Sequence, residues 1–128
     1  MKKLIYALLM VVVLSFPAFS DTDVNVGFVT GLSWTTRSTT YTAGARDNII
    51  ADTSGGAFTI TLPPSPSIGN TVTIIDGSET FSTYNLTILR NGSNINGQAS
   101  DLVLNLNNTH MQLVYYNVAS GWRILNMR

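Results

Sequence analysis

Apolar and polar residues alternate strictly in several short stretches between residues 41 and 125. In the clearest stretch, Phe58, Ile60 and Leu62 alternate with two threonines. Successive side chains of a β-strand point to opposite faces, so this pattern predicts a strand with one buried face and one solvated face. The proline-rich segment that follows ends the strand, because proline has no N–H group to donate to a neighbouring strand.

The same alternation recurs roughly every ten residues along the chain, with Gly, Pro, Asn or Ser between the stretches. Asp76-Gly77 and Asn91-Gly92 are strong turn signals, because both residue types tolerate positive φ. Less regular strands are expected around Val26, Trp34 and Ile49. The remaining strands are predicted to direct the following side chains to one face: Val72, Ile74, Leu86, Ile88, Leu102, Leu104, Leu106, Met111, Leu113, Tyr115, Trp122 and Ile124.

No stretch of the chain after the leader shows the periodicity of an amphipathic helix. Short strands at regular intervals, with a turn signal at each break, are typical of two packed antiparallel sheets. The sequence therefore predicts an all-β domain, a small antiparallel β-sandwich or barrel-like module of about eight or nine short strands.

The first 20 residues have the layout of a secretory signal peptide. Lys2 and Lys3 precede an apolar run, and Ala18 and Ser20 supply the small residues of a cleavage site. We expect an exported product, periplasmic, extracellular or virion-associated, and a membrane contact only if the leader is uncleaved. Residues 21–40 are expected to form an N-terminal arm or first strand, and residues 41–128 the β-module.

Removal of the leader leaves 108 of the 128 residues, enough for one domain with one core. This portion has five arginines, no lysine and seven acidic residues, hence a net charge of −2. A weakly acidic chain without a basic cluster is a poor partner for nucleic acid. It also contains no cysteine, so its stability must come from the core, from a bound partner or from a symmetric oligomer.

The segment IADTSGGAFTITLP at 50–63, continued by GNTVTIID at 69–76, resembles a β-module of tail-fibre and other virion structural proteins of tailed bacteriophages. The resemblance continues through NLTI at 85–88, RNGS at 90–93, ING at 95–97 and DLVL at 101–104. It ends with LVYY at 113–116 and GWR at 121–123, and so covers about residues 41–125.

The resemblance implies a non-enzymatic structural or adhesive module, often one unit of a longer trimeric fibre. Its partners would be further copies of itself, with a trimer as one form, or other fibre and virion proteins. This chain carries a single module behind an export leader, whereas phage structural proteins normally assemble in the cytoplasm. The alternative is therefore a freestanding secreted protein that binds cell-surface glycans or another envelope component.

The residues offer little for catalysis, and the expectation is a protein that is not an enzyme and has no metal or cofactor. His110 is the only histidine and lies beside Met111 on a predicted strand, so we expect neither a catalytic triad nor a multi-histidine metal site around it in one chain. Gly55-Gly56 precedes a strand, whereas a phosphate-binding loop would precede a helix with Lys and Ser or Thr. Asp52, Asp76, Glu79 and Asp101 could include a hydrolytic carboxylate pair, but the three aspartates occupy turns or a strand entry, where Asp often caps the backbone. The Asp-Gly turns and residues 91–96 could supply oxygen ligands to Ca²⁺, but they lack the regular ligand spacing of a known calcium loop.

Aromatic residues are the better candidates for binding, because their flat apolar faces can stack on sugar rings. Trp34, Tyr84 and Tyr116 are the candidate ligand or interface contacts. Tyr116 should face away from Tyr115, and Tyr84 lies in the loop before a strand. Trp122 occupies an inward position of its strand and is expected in the core. An exposed aromatic patch could equally be a subunit interface.

Overall fold

The computed structural model describes residues 33–128. The proposed leader, and the part of the proposed arm before residue 33, lie outside the described residues. No described segment is a helix with the length and apolar character needed to cross a membrane. The described part of the chain forms nine strands: β1 Trp34–Arg37, β2 Tyr41–Thr42, β3 Asp47–Ala51, β4 Phe58–Thr61, β5 Thr71–Asp76, β6 Leu86–Leu89, β7 Leu102–Leu104, β8 His110–Asn117 and β9 Gly121–Met127.

These strands form two sheets that pack as a small sandwich. One sheet has five strands in the order β1-β3-β5-β8-β9, and the other has four in the order β2-β4-β6-β7. The predicted all-β class and strand number are confirmed. Both sheets keep edge strands, so the barrel-like alternative is not the observed form. Strand β1 lies within the segment expected to be an arm or first strand, and it pairs with β3.

The sheets are mixed, and the expectation of antiparallel pairing is wrong for the four pairs formed among the first six strands. β1, β3 and β5 pair in parallel, as do β2, β4 and β6. Only β7, β8 and β9 add antiparallel pairs. The physical reason is that the chain changes sheet after each of its first five strands, so the turn signal at Asp76-Gly77 marks a crossing between sheets. A hairpin would have kept both strands in one sheet.

The core fills the space between the two sheets with the inward side chains of the alternating pattern. Ile60, Ile74, Leu113 and Trp122 are completely buried. Tyr115 meets Trp122 edge-on, with ring centroids 5.6 Å apart and planes at 66°, a favourable aromatic arrangement. The placement of Trp122 in the core is therefore confirmed.

Leu106 is an exception to the predicted inward series. Strand β7 ends at Leu104, and the side chain of Leu106 is 69% exposed. The chain turns immediately after it, with Asn108 at a φ of 61°, a left-handed conformation that Asn tolerates better than most residues. The turn removes Leu106 from the pleat that directs Leu104 inward.

Candidate functional site

The outward surface of the five-stranded sheet, here called face A, is the broadest regular surface of the domain. Strand registers align one residue from each strand in a row across the whole sheet. This central row consists of Trp34, Asn48, Thr73, Gln112 and Asn126.

Two shorter rows flank the central row of face A. One consists of Thr36, Ile50, Ile75 and His110, and the other of Thr71, Val114 and Arg123. Every member of the three rows is exposed or half-buried. Only His110 and Arg123 in these rows can carry a charge. Face A is therefore a mixed surface of carboxamides, hydroxyls and aliphatic side chains with few charges.

The structure brings two of the three candidate aromatic residues to face A. Trp34 is 44% exposed on the edge strand β1, and Tyr116 is 58% exposed on β8. Tyr115 is 7% exposed, which confirms that the two adjacent tyrosines face opposite ways. Three strand spacings separate β1 from β8, about 14 Å, so Trp34 and Tyr116 belong to one face without touching.

Tyr84 lies elsewhere, in the loop that leads into β6 of the other sheet. Its side chain is 42% exposed. Its loop is held by a turn in which the amides of Thr83 and Tyr84 both donate to the carbonyl of Thr80, at 3.0 and 2.8 Å. The three candidates therefore do not form one site.

The outward surface of the four-stranded sheet, here called face B, has a different chemistry. Its registers align Thr59, Thr87 and Val103 in one row and Thr42, Thr61 and Leu89 in a second. Thr59 also donates a long hydrogen bond of 3.4 Å to the hydroxyl of Thr40. Face B is thus a threonine surface, as the T-x-T pattern of the sequence implies.

Asp76 acts as a structural acceptor at the end of β5. Its carboxylate accepts the backbone N–H groups of Ser78, Thr80, Phe81 and Asn108 at 3.1 to 3.4 Å. These bonds fix the turn after β5 and join it to the loop before β8. The carboxylate serves the role that Asp commonly takes in turns.

Other acidic side chains are also hydrogen-bonded to turns. Asp52 accepts both the hydroxyl and the amide of Ser54, at 2.6 and 3.0 Å. The Ser54 hydroxyl, with its amide as the second cause, lowers the pKa of Asp52 below its ordinary value. Asp101 accepts the amide of Arg90 at 2.9 Å. Among the described residues, no group of three His, Cys, Asp or Glu side chains is arranged to hold a metal ion.

A buried hydroxyl cluster lies beneath the turns next to Asp52 and Asp76. Thr53 is fully buried, and its hydroxyl lies 2.8 Å from that of Thr80, which lies 2.6 Å from that of Ser78. The Ser78 hydroxyl also accepts the amide of Thr53 at 3.1 Å. The three hydroxyls therefore satisfy one another and join the turn after β3 to the turn after β5.

Arg37 lies at the β1 end of the sandwich. Its guanidinium carbon is 3.8 Å from the centroid of the Tyr41 ring, a cation–π contact. The Tyr41 hydroxyl in turn donates to the carboxylate of Asp47 at 2.8 Å. This chain of contacts covers the inner face of the edge strand β2, where Tyr41 is half-buried.

A groove of about 240 Å³ lies at the opposite end of the sandwich, between the ends of β7 and β9. Its lining includes Leu104, Leu106, Thr109 and Met127. The alternating pattern did not predict this groove. The only sequence signal for the groove is Leu106, an apolar residue that the alternation places inward. Because strand β7 ends before Leu106, its side chain does not enter the core.

Comparison with known proteins does not assign this chain to a family. The chain matches no protein-family model, and no curated protein is significantly similar to it in sequence.

Proposed function

We propose that this protein is an exported, non-enzymatic structural or adhesive module that serves as a building block of an extracellular fibre or virion appendage. The observation that carries the proposal is face A, a regular five-stranded surface with exposed aromatic residues and few charges. Surfaces rich in aromatic side chains and poor in charge are typical of the centres of protein interfaces.

The roles of the polar residues are consistent with this proposal. The carboxylates of Asp52, Asp76 and Asp101 accept backbone or turn hydrogen bonds. Such bonds stabilise loops on a scaffold. The resemblance of residues 41–125 to phage fibre modules and the signal-peptide layout of residues 1–20 point to a secreted or virion-associated location.

The alternative function is a freestanding secreted protein that binds surface glycans. The exposed indole of Trp34 and the exposed ring of Tyr116 favour it, because both offer flat apolar surfaces for sugar rings. On this alternative, face A would be covered by a polysaccharide or another envelope component.

Light scattering of the full chain, expressed with its leader and recovered from both periplasm and medium, tests the proposal. Mass spectrometry of the same material identifies the species present. A particle mass that rises with concentration supports a building block. A monomer at every concentration contradicts it, and saturable binding of a neutral glycan by that monomer would establish the alternative.

A further inference from the structure

The two most exposed large apolar side chains of the described residues lie at one end of the sandwich, here called the upper end. It is the end at which β3, β5 and β9 begin and β8 finishes, because β5 and β9 both run antiparallel to β8. Val118, in the turn between β8 and β9, is 87% exposed, and Ile68, in the loop before β5, is 77% exposed. Neither side chain belongs to the core of the domain.

The turn that carries Val118 is held by hydrogen bonds on both sides of this residue. The side chain of Asn117 accepts the amide of Ser120 at 2.7 Å. The side chain of Asn94, in the loop between β6 and β7, donates to the carbonyl of Ala119 at 3.0 Å. Val118 is therefore presented on a rigid support, so its insertion into a partner would cost little conformational entropy.

The groove between the ends of β7 and β9 lies at the other end of the strands, here called the lower end, where β5 and β9 finish and β8 begins. Leu106 and Met127 are exposed on its walls. Its volume of about 240 Å³ is below the roughly 300–1,000 Å³ that is typical of pockets for small-molecule ligands. The groove is therefore suited to one or two aliphatic side chains of a protein partner.

We propose that the Val118 turn of one copy of this chain docks into the β7–β9 groove of the next copy, so that the copies associate head to tail. The docking rests on the proposed function, because a building block of a fibre needs a lengthwise contact, and face A remains free for lateral contacts. A projecting site at one end and a groove at the other form a heterologous interface. Such an interface continues into an open filament whenever successive rotations do not close a ring.

The charged side chains of the described residues are divided between the two ends in a way that favours this arrangement. The upper end has three arginines against two aspartates, which are Arg46, Arg90, Arg123, Asp47 and Asp101. The lower end has three acidic side chains against two arginines, which are Asp52, Asp76, Glu79, Arg37 and Arg128. An upper end with one excess positive charge attracts a lower end with one excess negative charge, whereas two lower ends repel each other.

Cysteine substitutions test the docking in the full chain, which contains no cysteine of its own. Val118→Cys places a thiol on the turn and Leu106→Cys places one on the wall of the groove, both at exposed positions. A short bis-maleimide is added to each variant, to an equimolar mixture of the two and to the double variant. A mixture of Leu106→Cys with Thr42→Cys, whose thiol lies at an exposed position of the edge strand β2, is the matched control for chance collisions.

We expect the mixture of Val118→Cys and Leu106→Cys to give covalent dimers, while neither variant links to itself. The double variant should give a ladder of longer products, because its two thiols lie at opposite ends of one copy and a short linker joins them only between copies. A mixture that links no more than the Thr42→Cys control would overturn the docking. Linking of Leu106→Cys to itself would also overturn it, because the groove would then face a second groove.

Sedimentation velocity over a range of concentrations distinguishes failure of the docking from failure of the proposed function. Val118→Asp, verified as folded by circular dichroism, should weaken association by about tenfold or more, because it places a charge in an apolar groove. If the unsubstituted chain associates and Val118→Asp associates equally well, the docking is overturned and the proposed function stands. An unsubstituted chain that stays monomeric contradicts both.

Discussion

Gly121, at the start of β9, lies directly against the backbone of Asn94 in the long loop between β6 and β7. The amide of the next residue, Trp122, donates to the Asn94 carbonyl at 2.8 Å. Gly121 has a φ of +69°, and a Cβ atom there would overlap the carbonyl oxygen of Asn94. The loop can therefore close over β9 only where this strand begins with glycine.

Gly121→Ala should lower the free energy of unfolding by about 3 kcal/mol or more, because it adds a steric clash to an unfavourable backbone conformation. Urea denaturation of the variant measures the loss. Gly55→Ala is the matched control, since a Cβ at Gly55 meets nothing within 4 Å and the backbone there is not left-handed. A Gly121→Ala protein as stable as the control would refute the close approach of the two segments.

Asp76→Ala should cost about 2 to 4 kcal/mol of stability, because four backbone N–H groups lose their acceptor at once. Asp101→Ala removes an acceptor from one amide, that of Arg90, and should cost about 1 kcal/mol. Both values can be measured from chemical denaturation curves. Similar losses in the two variants would argue against a central role of Asp76 in joining the loops.

Trp122→Phe should be tolerated much better than Trp122→Ala. The indole N–H of Trp122 is buried and has no hydrogen-bond partner among the described residues, so phenylalanine loses no bond there. Phenylalanine also retains an aromatic ring against Tyr115. We expect a cost of about 4 kcal/mol for alanine and less than about half of that for phenylalanine, measured by thermal or urea unfolding. Equal costs would indicate that the N–H group is satisfied in solution.

Asp52 should contribute to stability at neutral pH and lose that contribution in acid. Its pKa is lowered in the folded protein, chiefly by the Ser54 hydroxyl, so protonation favours the unfolded chain. The contribution is complete above the ordinary Asp pKa of about 3.9 and disappears as the pH falls through the lower folded value. The urea midpoints of the unsubstituted chain and Asp52→Asn should therefore differ at neutral pH and converge in acid.

A carboxyl NMR titration provides the direct control for that assignment. Ser54→Ala should raise the pKa of Asp52 toward its ordinary value, because it removes the hydroxyl that donates to the carboxylate at 2.6 Å. An unchanged Asp52 titration in the Ser54→Ala protein would show that the serine is not the cause.

The alternating pattern predicted most of the strand side chains that enter the core, with Leu106 as the exception. Phe58 and Ile60 are buried while Thr59 faces outward, and Tyr115 and Tyr116 point to opposite sides. Alternation could not predict the direction of pairing, because a period of two assigns each residue to a face and says nothing of the neighbouring strand. For the same reason, the turn signal at Asp76-Gly77 could not distinguish a hairpin from a crossing between sheets.

The candidate site was less accessible from the sequence. Trp34 and Tyr84 were predicted as candidate contacts, yet the placement of Trp34 on face A and of Tyr84 in the loop before β6 depends on the strand order. The alignment of Trp34 with Thr73 and Asn126 depends on registers between strands far apart in the chain. No local pattern contains that information.

Hydroxyl-radical footprinting of the full exported chain, at a low and a high concentration, tests the role of face A most directly. We expect Trp34 and Tyr116 to become protected from oxidation at high concentration, while Tyr84, which lies outside face A, reacts equally in both samples. Equal oxidation of Trp34 and Tyr116 in both samples, or selective protection of Tyr84, would contradict this role.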